Sequence, residues 1–399
     1  MEQSNAQPMR LRSELWALLK NNIRNYAMYL ALAVIFIFFS LTTGGAFVSA
    51  RNITNLVNQT GYVAVMAVGM TLILIIGQID LSVGYAAGFL GAVAARLLTW
   101  NMQPVFVVVI TLLIGILMGF LSGLVIGKLK VPAFVTTLAG QFIFRGLLSL
   151  MTESSGTILV SNESFNKISN GFLPSLFTIQ GLHGLSLIIG LVSIILVVYF
   201  QIRKRRNLLN YRFPTSSRAV FIGQVTVICL ALAVLVFMLA EYKGISWTIV
   251  VVCIIAIIYD FMMKKTRLGR HIYGTGGNRE AAQLSGINTQ RIMLIAFSSM
   301  GMLAALGGIL YTSRLQSATP TAGSGFELDA IASCYIGGVS TTGGIGKVIN
   351  SIIGAFVIMS LTNGLNLMGI GITYQYIIKG IIFVLAVAFD VRSRVAKAG

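Results

Sequence analysis

The chain has 399 residues, 56% of them hydrophobic and only 10% charged, with a mean hydropathy of +0.87. Soluble domains carry roughly a quarter charged residues, so this composition excludes an ordinary water-soluble fold and leaves a membrane protein. A net charge of +18 would point to nucleic acid in a soluble chain. Here the placement of the charges decides otherwise.

Residues 1–25 are polar and read as a cytoplasmic N-terminal segment. Apolar runs able to cross a bilayer, about 20 residues each, occur near 26–46, 57–77, 80–99, 104–126, 132–151, 182–201, 220–240, 245–263, 292–312, 326–345, 347–366 and 373–391. These twelve predict an all-α polytopic membrane protein with a spanning domain over 26–391 and a tail at 392–399. "FVSA", ending at Ala50, looks like a leader-cleavage site. The apolar run before it is long and the chain beyond Ala50 is also membrane, so the first span is read as uncleaved.

With the N-terminus inside, the basic clusters share one face: Arg10, Arg12, Lys20 and Arg24; Lys128 and Lys130; "RKRR" at 203–206 with Arg212 and Arg218; the cations of 264–291; and Arg392, Arg394 and Lys397. The opposite loops hold Arg51, Lys167, Lys243 and Arg314. Positive loops stay cytoplasmic, so both termini are expected inside, and the charge is an orientation signal with no nucleic-acid partner.

The three cysteines, Cys229, Cys253 and Cys334, sit in apolar runs without metal-ligand spacing and read as packing residues. The sequons at Asn52, Asn58 and Asn162 are short enough to occur by chance. Two histidines, His183 and His271, build neither a histidine metal cluster nor a His-based triad. "GGIGKV" at 343–348 lacks the first glycine of a phosphate loop and has Val348 where a Mg²⁺-binding hydroxyl belongs. "GTGGNR" at 274–279 has Arg279 at the third glycine position of the dinucleotide pattern. No cofactor is therefore expected in this chain, and any ATP and Mg²⁺ would be bound by a partner.

The longest water-compatible stretch of the second half is "KKTRLGRHIYGTGGNREAAQLSGINTQR", 264–291. Within it "NREAAQLSGI" reads as a short helix: Asn278 caps it, Glu280 sits near its positive end, and Gly286 stops it. Ala281 and Ala282 leave one face flat. From spacing alone this is either an ordinary polar loop or a docking helix.

Glu280-Ala281-Ala282 followed by Gly286 resembles the E-A-A-x-x-x-G element of bacterial ATP-binding-cassette (ABC) importer permeases. The surroundings, with "GQIDLSVG" at 77–84, "VPAFVTTLAG" at 131–140, "PTAGSGFELDAIA" at 320–332, "IGG" at 336–338 and "NGLNLMG" at 363–369, resemble the ribose, xylose, galactose and multiple-sugar permeases in the family's order. The resemblance implies an ABC importer permease of the branched-chain amino acid/ribose type, in the bacterial inner membrane. It further implies that Asn278, Glu280, Ala281, Ala282 and Gly286 belong to a coupling helix docking on a cytoplasmic ATPase, and that an extracytoplasmic binding protein delivers a pentose or hexose. One docking loop per chain against two ATPase sites points to a homodimer. Short ribose-type members lack an equivalent of about 182–240. The additional hairpin resembles the longer xylose or multiple-sugar branch, and packing or membrane-lipid contact through its basic loop is its simplest role.

The few intramembrane charges stand out. Asp80, in "QIDLSVG" with Gln78 and Ser82, and the pair Glu327 and Asp329, in "FELDAIA", open spans that run in opposite directions, which suggests two inverted halves over 57–151 and 292–391. These carboxylates either cap helices or line a pathway or gate. Arg96, Arg145 and Lys379 snorkel to an interface or pair with a carboxylate. Thr136, Thr137, Gln141, Asn363, Asn366 and Gln375 either contact a hydroxylated cargo or join helices. Gly115, Gly119, Gly123 and Gly127, four apart, form a smooth stripe for close helix contact, and Gly84 with Gly88 repeats it.

Three functional classes compete. An ABC importer subunit, for a sugar or alternatively for nucleosides or other small polar solutes, accounts for the docking helix. An ion-coupled carrier leaves that helix unexplained. A membrane glycosyltransferase needs an acidic catalytic loop, and 152–181 offers only Glu153 and Glu163.

Overall fold

The computed structural model describes residues 28–213 and 215–398. The described residues are mostly helical. In chain order the helices are α1 (Met28–Thr42), α2 (Ala50–Ile75), α3 (Val83–Thr99), α4 (Pro104–Gly127), α5 (Ala133–Thr152), α6 (Glu163–Asn170), α7 (Gly184–Asn210), α8 (Arg218–Tyr242), α9 (Trp247–Lys265), α10 (Arg267–Gly277), α11 (Arg279–Leu284), α12 (Thr289–Leu315), α13 (Phe326–Ile336), α14 (Val348–Leu367) and α15 (Ile372–Ala398). Eight are long and apolar enough to cross a membrane, and α1, α3 and the first part of α15 are shorter apolar helices. This is a multi-pass helical membrane protein. The N-terminal segment 1–25 lies outside the described residues.

Boundaries reflect local chemistry. Ser49 accepts from Asn52 N and starts α2 seven residues before the predicted span. Pro104 occupies the first turn of α4, where its missing N–H is harmless. α7 continues through the basic run 203–206 to Asn210, since nothing there breaks a helix.

The tenth predicted span, 326–345, is a correction. Only Phe326–Ile336 is helical; then Gly338, Gly343 and Gly344 take φ of 83°, 83° and 72°, a left-handed conformation that ends the helix. The rest of the crossing is irregular backbone, and Gly344 N donates to Ile75 O at 2.8 Å to satisfy it. The third span is also shorter than predicted. Residues 76–82 are irregular and α3 begins only at Val83.

Direction can be read from contacts. Ile75 at the end of α2 meets Gly276 and Gly344, so α2 runs toward α10 and α11; this is the α11 end. α12 starts beside α11, where Gln283 donates to Thr289 Oγ1, and runs to the far end, where Ser313 Oγ donates to the Phe165 and Asn166 carbonyls of α6. There β1 (Ile158–Leu159) pairs antiparallel with β2 (Ser317–Ala318). α2 and α12 are thus antiparallel central helices.

Two sets of four helices repeat one plan in opposite directions. In each a long helix (α2 or α12) is followed by irregular backbone, a short helix (α3 or α13) and two further helices (α4 and α5, or α14 and α15). The long helix of each half packs into the other: α12 against α3 and α4, α2 against α13 and α14. α2 is buried along nearly its whole length. The α7–α8 hairpin packs on itself and on α2 but stays mostly exposed, as a lateral attachment.

Every fourth residue of α4 is buried: Val107, Thr111, Gly115, Gly119, Gly123 and Gly127. A Cβ at Gly115 or Gly119 would collide with the carbonyl of Gly301 or Phe297 on α12, so the predicted stripe allows backbone-to-backbone contact.

Candidate functional site

The two short helices begin near the middle of the fold. The ring of Phe326, the first residue of α13, lies 4.8 Å from Tyr62, halfway along α2. Asp80, Ser82 and Val83, at the start of α3, lie beside Met300, Gly301 and Ala304, halfway along α12. The helix starts touch: a Cβ on Gly84 would collide with the Glu327 carboxylate and with Gly323 O, and one on Gly88 with Ala322 O. α3 then runs to the far end and α13 to the α11 end. Two positive helix termini therefore meet around three carboxylates, which is favourable for negative charge.

The carboxylates are handled differently. Asp80 Oδ1 accepts from Ser82 N at 2.9 Å and Ser82 Oγ at 2.6 Å, fixing the turn into α3 inside a crevice of about 20 Å³. Glu327 is buried; Gln141 Nε2 lies 3.5 Å from its Oε1, and among the described residues its Oε2 has no hydrogen-bond partner. Asp329 is paired with Lys379 of α15, Nζ donating to Oδ1 at 2.9 Å and Oδ2 at 3.1 Å. Of the two readings of Lys379, the structure has pairing. Arg145 instead lies over the Tyr85 ring at 5.7 Å, and Arg96 donates to Met151 O at 2.8 Å.

The Asp329–Lys379 pair lines a cavity of about 400 Å³ between α13, α14 and α15, within the size range of small-molecule sites. Its wall includes Tyr62, Asn366, Gln375 and Tyr376, and it reaches from the α14–α15 turn at the far end to the middle of α2. Gln375 Nε2 donates to Asn366 Oδ1 at 2.7 Å. Phe326 packs against both Tyr62 and Tyr311 with centroids 4.8 Å apart, so an aromatic floor lies beneath a largely apolar wall studded with a few polar groups.

Asp329 and Asn366 therefore share this cavity. Asp80 and Ser82 occupy the narrow crevice on the other half, and Gln78 is half-buried in the irregular segment before them. Asn363 faces away, exchanging amide hydrogen bonds with Asn52 of α2 at 2.8 and 3.2 Å. Sequence reasoning passed over Tyr62 and Tyr376. Tyr62 had a signal, as the lone aromatic of the span 57–77 and a polar one.

At the other end, Asn278 Oδ1 accepts from Ala281 N at 2.9 Å and caps α11, and Gly286 ends it with φ 81°. Ala282 is buried toward the body, while Ala281 is exposed and Leu284 is 90% exposed. The sequence reading missed α10, which carries "GTGG" in its last turn. Thr266 caps α10 by accepting from Gly269 N, and glycine at 276 lets it press on the Ile75 carbonyl.

The family described as "Branched-chain amino acid transport system / permease component" matches residues 52–387. The chain belongs to this permease family. It is similar to the xylose transport system permease protein XylH of Escherichia coli, 37% identical over 372 residues covering 92% of each chain. Similarity to XylH of Haemophilus influenzae is 37% over 374 residues, 94% of this chain and 97% of that one. The ribose import permease protein RbsC of Escherichia coli is 33% identical over 344 residues, 86% of this chain and 87% of that one. No solved structure matches the chain significantly. The family match runs through both four-helix sets and through α7 and α8 between them.

Proposed function

We propose that the chain is the membrane-spanning subunit of an ATP-driven importer of a monosaccharide, xylose or a related pentose or hexose, acting as a homodimer in the bacterial inner membrane. The α11 end and both termini face the cytoplasm. A separate ATPase binds ATP and Mg²⁺ and docks on the exposed side of α11, at Glu280, Ala281 and Leu284, while Asn278 caps the helix, Gly286 ends it and Ala282 seats it on the body. A soluble sugar-binding protein delivers cargo to the far end. The translocation route passes Asp329 and Asn366, with Gln78, Asp80, Ser82 and Glu327 shaping the neighbouring gate, and Asn363 holding α14 to α2.

The observation that carries this reading is the form of α11, a capped helix held to the body through Ala282 with Leu284 standing 90% exposed at its tip. Ala281 beside it is small and exposed, so a partner's surface can approach this side of α11 closely. The relatives named for xylose and ribose transport support the cargo class. At the far end, aromatic faces beneath hydrogen-bonding walls match a sugar's C–H face and hydroxyl rim.

Co-reconstitution of the chain with its ATPase and binding protein in vesicles tests this. Labelled xylose should accumulate only with ATP inside, and Glu280→Ala or Leu284→Asp, both on the exposed side of α11, should leave the protein folded while uncoupling hydrolysis from uptake. Accumulation without the ATPase would end the reading, and competition by nucleosides but not by pentoses would change the cargo.

A further inference from the structure

Beyond the transport route lies a second built feature, at the α11 end of the lateral hairpin. A cavity of about 560 Å³ opens between the last turns of α7 and the end of α9. Arg203, Lys204 and Lys265 converge on it with Asn207, and Tyr211 and Phe213 form its rim. We infer that this cavity binds the headgroup of an anionic phospholipid, with the acyl chains running down α7.

Several observations carry this. The 27 residues of α7 make a helix of about 40 Å, longer than the ~30 Å hydrocarbon layer, so its basic end stands in the headgroup zone. Among the described residues Arg203, Lys204 and Lys265 form no ion pair; the pairs present are Glu163–Lys167, Asp260–Lys264 and Asp329–Lys379. Arg205, next in sequence, is committed elsewhere. Its guanidinium donates to Ser216 O at 3.0 Å and lies 4.5 Å from the Phe221 ring centroid, holding the α7–α8 turn. Arg212 takes φ 56° and folds the chain back, with Phe213 N donating to Leu208 O at 2.9 Å, so that Tyr211 and Phe213 stand beside α7 at the level where aromatic residues anchor at a membrane surface.

The occupant must also be apolar below its charge. Directly beneath the cations, Leu196, Tyr199 and Phe200 are exposed, and Leu191, Val192 and Ile195 continue that face. Acyl chains satisfy this face and a phosphate satisfies the cations, whereas an acidic peptide satisfies only the second. Lys265 is the last residue of α9, two before α10 begins, so a lipid held here joins the hairpin to the base of α10 and α11.

The test uses the full-length protein in detergent, titrated with phosphatidylglycerol, cardiolipin or phosphatidylcholine and read by native mass spectrometry. The two anionic lipids should be retained and phosphatidylcholine lost. Arg203→Gln with Lys204→Gln should weaken anionic-lipid retention about 30-fold, and Lys265→Gln alone about fivefold. Lys128→Gln with Lys130→Gln removes the same charge at the same end and should change retention by less than about twofold. Equal loss in both double variants would reduce the effect to general surface attraction and overturn the site. So would equal retention of phosphatidylcholine, or displacement by soluble glycerol phosphate at the lipid's concentration. Unfolding midpoints close to wild type establish that retention is being read on folded protein, and Lys265→Gln, on a separate helix, decides the matter if the α7 double variant fails to fold.

Discussion

In the α2–α5 half, the start of α3 is close-packed: Asp80 is answered by Ser82 in a crevice of about 20 Å³, narrowed by α4 and α12. In the α12–α15 half, the start of α13 faces a cavity of about 400 Å³, across which Asp329 reaches Lys379. The backbone plan is the same, a long helix and then a half-length helix starting in the middle. What differs is the closing surface. Glycines of α4 bring it against the backbone of α12, while α14 is tied to α2 by hydrogen bonds, Thr71 to Ser351 and Asn52 to Asn363, that hold it without filling the space beside α15. One half is built as a close-packed support and the other as a chamber whose mostly apolar wall carries a few polar groups. The inverted repeat supplies two similar frames, and the side chains on the outer helices decide which becomes which.

The comparison breaks most sharply at Gly119. Gly119→Leu places a side chain where Phe297 O now lies, and the atoms it meets are α12 backbone, which cannot rotate aside as a side chain can. Such overpacking should lower stability by about 3 kcal/mol, read as a fall in the thermal unfolding midpoint of the detergent-purified protein. The same substitution at Gly380, where a Cβ meets nothing within 4 Å, should change it by less than about 0.5 kcal/mol. Equal effects at both glycines would mean that the supporting half is no more tightly packed than the chamber.

Next in size is the ion pair. Lys379→Met leaves the Asp329 carboxylate without its partner, and a fully buried pair broken this way costs about 3–5 kcal/mol. These side chains keep 20% and 12% exposure, so about 2 kcal/mol is expected. The double variant Asp329→Asn with Lys379→Met should recover more than half of that loss, since no orphaned charge remains. A double variant as unstable as the single one would show that Lys379 stabilises α15 by packing alone.

Much of this division is legible in the amino-acid sequence. Long uninterrupted apolar runs give their ends away, as at Pro104–Gly127, because burial, helix formation and length point the same way. Asn278 and Gly286 are readable as cap and stop because each acts on its own few residues. The short helix α13 is not, whereas α3, Val83–Thr99, falls almost where the run 80–99 places it. Hydropathy registers that residues 326–345 avoid water, and irregular backbone does so equally well when other chain segments satisfy its hydrogen bonds. The run of glycines at 337, 338, 343 and 344 is the local sign that the helix cannot persist. The partner of Asp329 is beyond sequence reach for a different reason: it lies 50 positions away on another helix, and nothing in spacing chooses Lys379 over Arg145. Asn363 and Asn366, one turn apart and similar in sequence, divide between helix joining and cavity wall only once α2 and α15 are in place.

That last pair offers a finer test. Asn363→Ala strips Asn52 of its reciprocal amide contact and should lower stability by about 1–2 kcal/mol, while uptake per folded molecule in reconstituted vesicles stays near wild type. Asn366→Ala removes only the acceptor for Gln375, whose Nε2 also donates to Ile370 O at 2.9 Å, so stability should fall by less than about 1 kcal/mol. Its uptake should fall severalfold. The reverse pattern would move the functional wall of the chamber from α15 to the α2 side.

The close-packed half offers one more test. Ser82→Ala deletes the 2.6 Å hydroxyl bond to Asp80 but keeps the backbone donor at 2.9 Å, so Asp80 still closes the turn into α3. With one of two donors retained and no cavity larger than a hydroxyl created, stability should drop by about 1 kcal/mol. Because the crevice of about 20 Å³ is too small to hold cargo, the apparent affinity for transported sugar should not change. A shift in that affinity without a matching loss of stability would mean that the α3 frame also opens during transport, and that the difference between the two halves belongs to one conformation of the protein and not to its architecture.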